Sequence, residues 1–341
     1  MLRAFTFLLV LLGASPLALC SESLAREYIE SYPAPAEQVH LTVARGLLEI
    51  VNGPANGEVV VEARLRLQGK ASGVETARKE TATRPPSGAE LERSFKRMKP
   101  EVKTGPRKLF VRVADSHSVV FDWDSTLQMV IDVKVTIPAG LDVVVQSVTA
   151  GITIPDVFRG NLELRSDGGS FFAGRIEGDF IARTDTGSIT VREVTGRSEL
   201  RSDTGLVQAG RLHGPAGVRT LNGSIEVQHV HDRLKIRGSD AELVLGISQP
   251  VPESLDVQTS AGHIWVNIDR DAALTVDAVS HLLGNVRVRG LPLGQEDATS
   301  HRSSLVSDLN GGGPTLRVRT YGGVISIVGR DPIEAFEVEA R

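Results

Sequence analysis

The chain has one cysteine, Cys20, and few rings: 10 Phe, 3 Tyr and 2 Trp in 341 residues. A single cysteine closes no internal disulfide and builds no Cys/His zinc framework. After the first twenty residues no apolar run approaches the roughly 18 residues that a membrane-spanning helix needs. Basic excess is missing too: 38 Lys and Arg against 42 Asp and Glu give a formal net charge of −4, so there is no electrostatic footprint for DNA or RNA. Gly-x-Ser-x-Gly, phosphate-loop and Gly-Gly-x-Gly-x-Asp calcium patterns are absent as well. What is present is 41% apolar content, enough for a packed core, and 34 glycines.

The first twenty residues have the order of an export signal. Arg3 supplies the positive region, Phe5 to Leu12 the apolar run, and Gly13-Ala14-Ser15-Pro16 a break. Two exits stay open. Leu17-Ala18-Leu19-Cys20 resembles a lipobox, in which Cys20 becomes a lipidated first residue, although Leu19 stands where a small residue is usual. Ala18-Leu19-Cys20 also fits ordinary cleavage after a small residue. Either exit places the chain outside the cytoplasm, in the periplasm, at the outer-membrane surface or in the medium.

The middle of the chain repeats with period 18. Arg165, Arg183, Arg201, Arg219 and Arg237 keep this step, as do Gly151, Gly169, Gly187, Gly205 and Gly223, and Gly160, Gly178, Gly196 and Gly214. Inside each repeat apolar residues alternate with polar ones, which signals strands. Aligned columns point inward: Leu162, Phe180, Ser198, Ala216, Leu234; Leu164, Ala182, Leu200, Val218, Ile236; Ser166, Thr184, Ser202, Thr220, Gly238; then Phe171, Ile189, Val207, Ile225, Leu243 and Ala173, Val191, Ala209, Val227, Leu245. The expected fold is all-β: a single-stranded, β-helix-like solenoid of about 18-residue rungs. Each rung has two short strands, with glycine turns where a positive φ is cheap.

The flanks continue this grammar. A linker at 21–36 leads to irregular N-terminal strands at 37–140, interrupted by a charged loop at 69–107 with one helical turn near Ala89 to Met98. Solenoid repeats fill 141–330, with an excursion at 291–313, and a tail follows at 331–341. Strands are expected at Val39 to Val51, Val59 to Leu67, Leu109 to Val113 and Val119 to Trp123. Solenoids expose strand edges at both ends, so the N-terminal strands and Pro332 to Arg341 are the expected caps.

Val133-Lys134-Val135-Thr136-Ile137-Pro138, the Thr184 to Val191 and Thr220 to Val227 units, and Asn310-Gly311-Gly312-Gly313-Pro314 together resemble a bacterial putative-adhesin family of unknown function. That family is similar in turn to the head domain of putative auto-transporter adhesins. The resemblance covers roughly residues 37 to 330. It implies an exported or surface-associated solenoid without established enzymatic activity; the expected partner is an unidentified protein or glycan of the cell envelope.

Three constellations could carry chemistry. The exposed column Arg165, Arg183, Arg201, Arg219 and Arg237 could bind an anionic glycan or lipid head group. Alternatively it is a ladder in which Asp167, Asp185 and Asp203 neutralise arginines of neighbouring rungs. His213, His229 and His231 lie near one turn and could hold zinc or copper if their nitrogens converge. The carboxylate pairs Asp122 and Asp124, or Asp167 and Asp185, would suit a polysaccharide lyase or hydrolase if spaced as acid and base. Ser170 and Ser188, each after a glycine, are repeat positions. The leading expectation is a non-catalytic scaffold without a cofactor. A polysaccharide-active enzyme and an envelope-stress sensor acting through residues 69–107 are the alternatives.

Overall fold

The computed structural model describes residues 26–69, 96, 99–113, 127–282, 284–293 and 303–331. The signal segment with Cys20, most of the charged loop, Val119 to Trp123 with Asp122 and Asp124, and the tail from Pro332 lie outside the described residues. The N-terminal strands are β1 (Arg26–Tyr32), β2 (Gln38–Val43), β3 (Leu47–Gly53), β4 (Val59–Gly69), β5 (Glu101–Thr104), β6 (Lys108–Val113) and β7 (Leu127–Pro138). The repeats hold β8 (Asp142–Ser147), β9 (Gly151–Arg159), β10 (Leu162–Ser166), β11 (Phe171–Glu177), β12 (Phe180–Thr184), β13 (Ile189–Val194), β14 (Ser198–Leu212), β15 (Ala216–Val230) and β16 (Leu234–Ile247). Then come β17 (Ser254–Ala261), β18 (Ile264–Asp269), β19 (Leu274–Ser280), β20 (Val286–Arg289), β21 (Ser304–Leu309), β22 (Thr315–Gly322) and β23 (Ile325–Arg330). All join one sheet that curls into a nearly closed, barrel-like wall around an apolar interior. The chain is all-β, as the alternation requires.

Two parallel ladders make up the wall. In the first, Leu162 faces Phe180, which faces Ser198, then Ala216, then Leu234. In the second, Phe171 faces Ile189, then Val207, Ile225 and Leu243. Both advance by the step read from the sequence. Two short strands per repeat describes β10 with β11 and β12 with β13. From β14 to β16 the pair fuses into one strand, because the turn itself pairs with the next turn: Thr204 faces Asn222 and Gly205 faces Gly223.

The inward columns are buried as expected except at Gly238, which is half-buried, and a further one joins them. Phe158, Ile176, Val194, Leu212 and Val230 are at most 5% exposed. Simple alternation after Ala173 would turn Arg175 inward. Instead the register shifts between Ala173 and Arg175, and Ile176 takes the inward place. Such a bulge bends the strand and opens another side of the wall.

The two glycine series differ in their physical reason: Gly160 and Gly178 have the positive φ expected of turn glycines, and the other series does not. At Gly169, Gly187, Gly205 and Gly223 φ is not positive. The constraint is proximity: a Cβ on Gly187 would stand 2.0 Å from the carbonyl oxygen of Gly169, one repeat back. Ahead of this glycine, the buried Ser/Thr column ties the turn together. Thr184 Oγ1 donates to the Gly169 carbonyl at 3.0 Å and accepts from Gly187 N–H at 3.1 Å; Ser202 Oγ likewise donates to the Gly187 carbonyl at 2.7 Å, whereas Ser166 Oγ accepts from Gly169 N–H at 2.8 Å and donates to the Val148 carbonyl at 3.0 Å.

At both ends spatial order departs from chain order. Val39 of β2 sits between Leu109 of β6 and Val143 of β8, and Leu48 of β3 sits between Val133 of β7 and Ile152 of β9. At the other end β22 and β23 slot between earlier strands: Leu316 faces both Leu255 and Val276, and Ile325 faces both Ile264 and Val286. Antiparallel strands border the wall: β5 on β6, β1 on β4, and β21 on β19. The N-terminal strands are less irregular than expected, since β4 and β7 pair without a break from Val60 to Gly69. The end of the charged loop is the strand β5, and the excursion at 291–313 holds β21. Among the described residues no helix is long and apolar enough to cross a membrane.

Candidate functional site

Parallel in-register pairing stacks identical side chains, so the arginine column becomes a straight row on the outer face of the first ladder. Arg165, Arg183, Arg201, Arg219 and Arg237 are direct neighbours, about 4.8 Å apart along the row. Like charges this close repel, and the row survives because acids interleave. Arg165 pairs with Glu163 at 2.5 Å, Arg183 with Glu199 at 3.2 Å, Arg201 with Asp203 at 3.0 Å, and Arg237 with Asp256. The Asp203 hydrogen bond, then its charge, raises the Arg201 pKa further, with a smaller contribution from Asp185. The expected Arg/Asp ladder is thus half Arg/Glu, with Arg165 and Arg183 on glutamates and Arg201 and Arg237 on aspartates. Arg219, flanked by Gly217 and Leu221, has no partner among the described residues.

The row continues past the repeats. Arg165 faces Gln146 of β8, which shares its register with Thr42 of β2, and Thr42 faces Arg112 of β6. None of these three stands out in the sequence. Gln146 precedes Arg165 by one position more than the repeat step, so allowing a single insertion would have found it, whereas Thr42 and Arg112 join only through the non-sequential pairing. Replacing arginine by Thr42 and Gln146 hollows the face. An open groove of about 640 Å³ results, lined by Arg112, Thr42, Gln146, Arg165, Arg183, Asp167 and Asp185, with Val43, Ala44, Val113 and Val148 as its apolar part.

The groove's polar groups divide into occupied and free. Arg165 and Arg183 are held by glutamates, Ser166 by the turn, and Ser147 Oγ accepts from Ala150 N–H at 2.8 Å. The side chains of Arg112, Thr42, Gln146, Asp167 and Asp185 have no hydrogen-bond or ion-pair partner among the described residues.

The histidines do not converge. The His213 and His231 rings stack with centroids 4.5 Å apart and planes 20° apart, and His213 Nε2 meets Glu193 Oε1 at 2.9 Å. His229 turns elsewhere, its Nδ1 3.1 Å from Ser248 Oγ. Arg330 Nη2, always a donor, also reaches Ser248 Oγ at 3.2 Å, while its Nε donates to Asp269 at 2.7 Å. Burial, then the charges of Arg330 and Arg211, hold the His229 pKa below its ordinary value. Stacked rings cannot both aim a nitrogen at one ion. No group of three His, Cys, Asp or Glu that could hold a metal occurs among the described residues.

No protein-family model matches this chain, and no curated protein matches it in sequence. Solved structures do. A putative adhesin from Bacteroides fragilis is 10% identical over 89% of this chain and 97% of its own, with a TM-score of 0.39. A putative adhesin from Parabacteroides distasonis is 11% identical over 89% and 96%, also at 0.39. A putative lipid binding protein from the same organism is 11% identical over the same shares, at 0.32. Two of these names match the family that the sequence resembles. At such TM-scores the likeness assigns no function, which has to be argued from the site.

Proposed function

We propose that this chain is a non-catalytic, exported β-solenoid that works in the manner of an adhesin, its outer face holding an envelope glycan or protein partner. In this reading the barrel-like sheet is a coil of 18-residue rungs, supported by the constant register step in both ladders. Stacked rungs form a stiff rod, because the turns at Ser166, Thr184 and Ser202 are each tied to the one before, and a rod suits display better than turnover. The observation that carries the reading is the row from Arg112 to Arg237, a linear polar face that opens into a groove at one end. Asp167 and Asp185 stand in that groove as two members of a repeated turn position whose third member, Asp203, is bound by Arg201. A position repeated for turn chemistry is a poor mark of a catalytic acid and base.

The test is binding of the purified chain to isolated bacterial envelopes. Wild type is expected to be retained, and Arg165→Gln with Arg183→Gln to be retained less. Equal retention of wild type and double variant refutes the role of the row, and no retention of either refutes the adhesin-like reading. Binding to an anionic polysaccharide that is unchanged by Arg183→Gln with Arg201→Gln would reject the row as a polyanion stripe. Mass spectrometry of the mature N-terminus tests export and decides between a lipid on Cys20 and cleavage.

A further inference from the structure

We propose that the groove between β6 and β12 binds a short neutral or amino-sugar oligosaccharide rather than a polyanion. This rests on the adhesin-like reading and names the ligand class of its site. The free groups decide the chemistry. Two carboxylates, one amide, one hydroxyl and one guanidinium line the hollow without partners of their own: Asp167, Asp185, Gln146, Thr42 and Arg112. Sugar hydroxyls both donate and accept, so they can satisfy this whole set, with carboxylates and amide accepting and Arg112, Gln146 and Thr42 donating.

The free groups carry two negative charges and one positive. A polyanion would meet Asp167 and Asp185 with only Arg112 free to offset them, since Arg165 and Arg183 are already held by Glu163 and Glu199. A neutral sugar faces no such repulsion, and an amino sugar gains from the two adjacent carboxylates. Val148, 44% exposed, gives the apolar edge of a sugar ring a place to lie. The volume of about 640 Å³ falls within the roughly 300 to 1,000 Å³ usual for small-ligand sites. That scale suits a few linked sugar rings.

Titration calorimetry of the mature chain is the experiment, with chitotriose, glucosamine trimer, cellotriose and trigalacturonate as ligands. At least one of the first three is expected to bind and trigalacturonate to be ignored. Asp167→Ala with Asp185→Ala should weaken that binding by about tenfold or more, as for loss of hydrogen bonds to charged groups, and Gln146→Ala by about two- to tenfold, as for a neutral hydrogen bond. Arg287→Gln, exposed on β20 and away from both the groove and the arginine row, should leave it unchanged. Binding of trigalacturonate alone, no binding by any of the four at millimolar concentration, or equal affinity in the groove variants overturns the inference. Retention on envelopes alongside silence in calorimetry sinks the ligand class and leaves the adhesin-like reading standing. Sugar binding without envelope retention does the reverse.

Discussion

Gly187→Ala should be the most damaging one-methyl change in the repeats. The new Cβ would lie 2.0 Å from the Gly169 carbonyl oxygen, 2.6 Å from its carbon and 2.9 Å from Thr184 Oγ1, where ordinary contact begins near 3.4 Å. Retreat is blocked because Gly169 O and Gly187 N–H are both bound to the Thr184 hydroxyl. Separating the turns strains the ladder, at about 1 to 3 kcal/mol for overpacking, and weakens two hydrogen bonds of about 0.5 to 1.5 kcal/mol each. The expected loss is therefore about 2 to 6 kcal/mol. Gly217→Ala is the control: its Cβ meets nothing within 4 Å and its φ is outside the left-handed region, so the variant should gain about 0.4 to 1 kcal/mol by restricting the unfolded chain. Guanidinium denaturation followed by far-ultraviolet circular dichroism compares the two midpoints. If Gly187→Ala loses less than about 1 kcal/mol, or Gly217→Ala is equally harmful, close approach of turns is not why glycine recurs here.

Ser198 stands in an otherwise apolar column with its hydroxyl buried and unpartnered, so Ser198→Ala should stabilise by about 1 kcal/mol, and a lower denaturation midpoint would contradict that. Leu212→Ala should cost about 2 to 5 kcal/mol while Arg211→Ala stays within about 0.5, the reverse of what simple alternation from Ala209 implies. The His229 ring, held below its ordinary pKa by burial and then by Arg330 and Arg211, binds fewer protons folded than unfolded. Its contribution is thus fully present above about pH 6.5 and fades as pH falls through its lowered value. His40, lowered by burial and by Lys108, acts in the same direction. His229→Gln should shrink the fall in unfolding midpoint between pH 7 and pH 5, and an undiminished fall would show that another group causes it.

The repeats were legible because parallel in-register stacking imposes the same environment on every eighteenth residue. Selection for one buried Leu, one hydroxyl and one glycine per repeat writes columns into the chain, and five inward columns were read correctly from them. The column of Ile176 and Leu212 has the same period and was still missed, because the bulge after Ala173 breaks the two-residue alternation used to orient side chains. Positive φ is the legible reason for glycine at Gly160 and Gly178, but not at Gly169 to Gly223, since proximity to a neighbouring carbonyl is invisible until the repeats are stacked. The arginine row was visible; its neutralisation by Glu163 and Glu199 was not, because those residues lie on the other side of the arginines from the aspartates that the sequence suggested.

The ends explain why the groove itself could not be read. A repeat array recorded in chain order would put Gln146 beside whatever precedes it by one repeat length, in β7. The wall instead places Thr42, from far earlier in the chain, against Gln146, and Arg112 beyond it. The inserted strands at the other end obey the same logic: β22 reaches back past four strands to β17 and also covers β19. In each case the apolar column stays continuous, Leu109, Val39, Val143 and Leu162 on one side and Leu234, Leu255, Leu316 and Val276 on the other. Inward-facing aliphatic residues are interchangeable to a degree that hydrogen-bonded ladders tolerate, so the pattern alone does not say which strand lies next to which. The outward residues carry the distinction. A site built from Arg112, Thr42, Gln146 and Asp167 exists only because the inserted strands bring short, uncharged side chains to the end of a charged row.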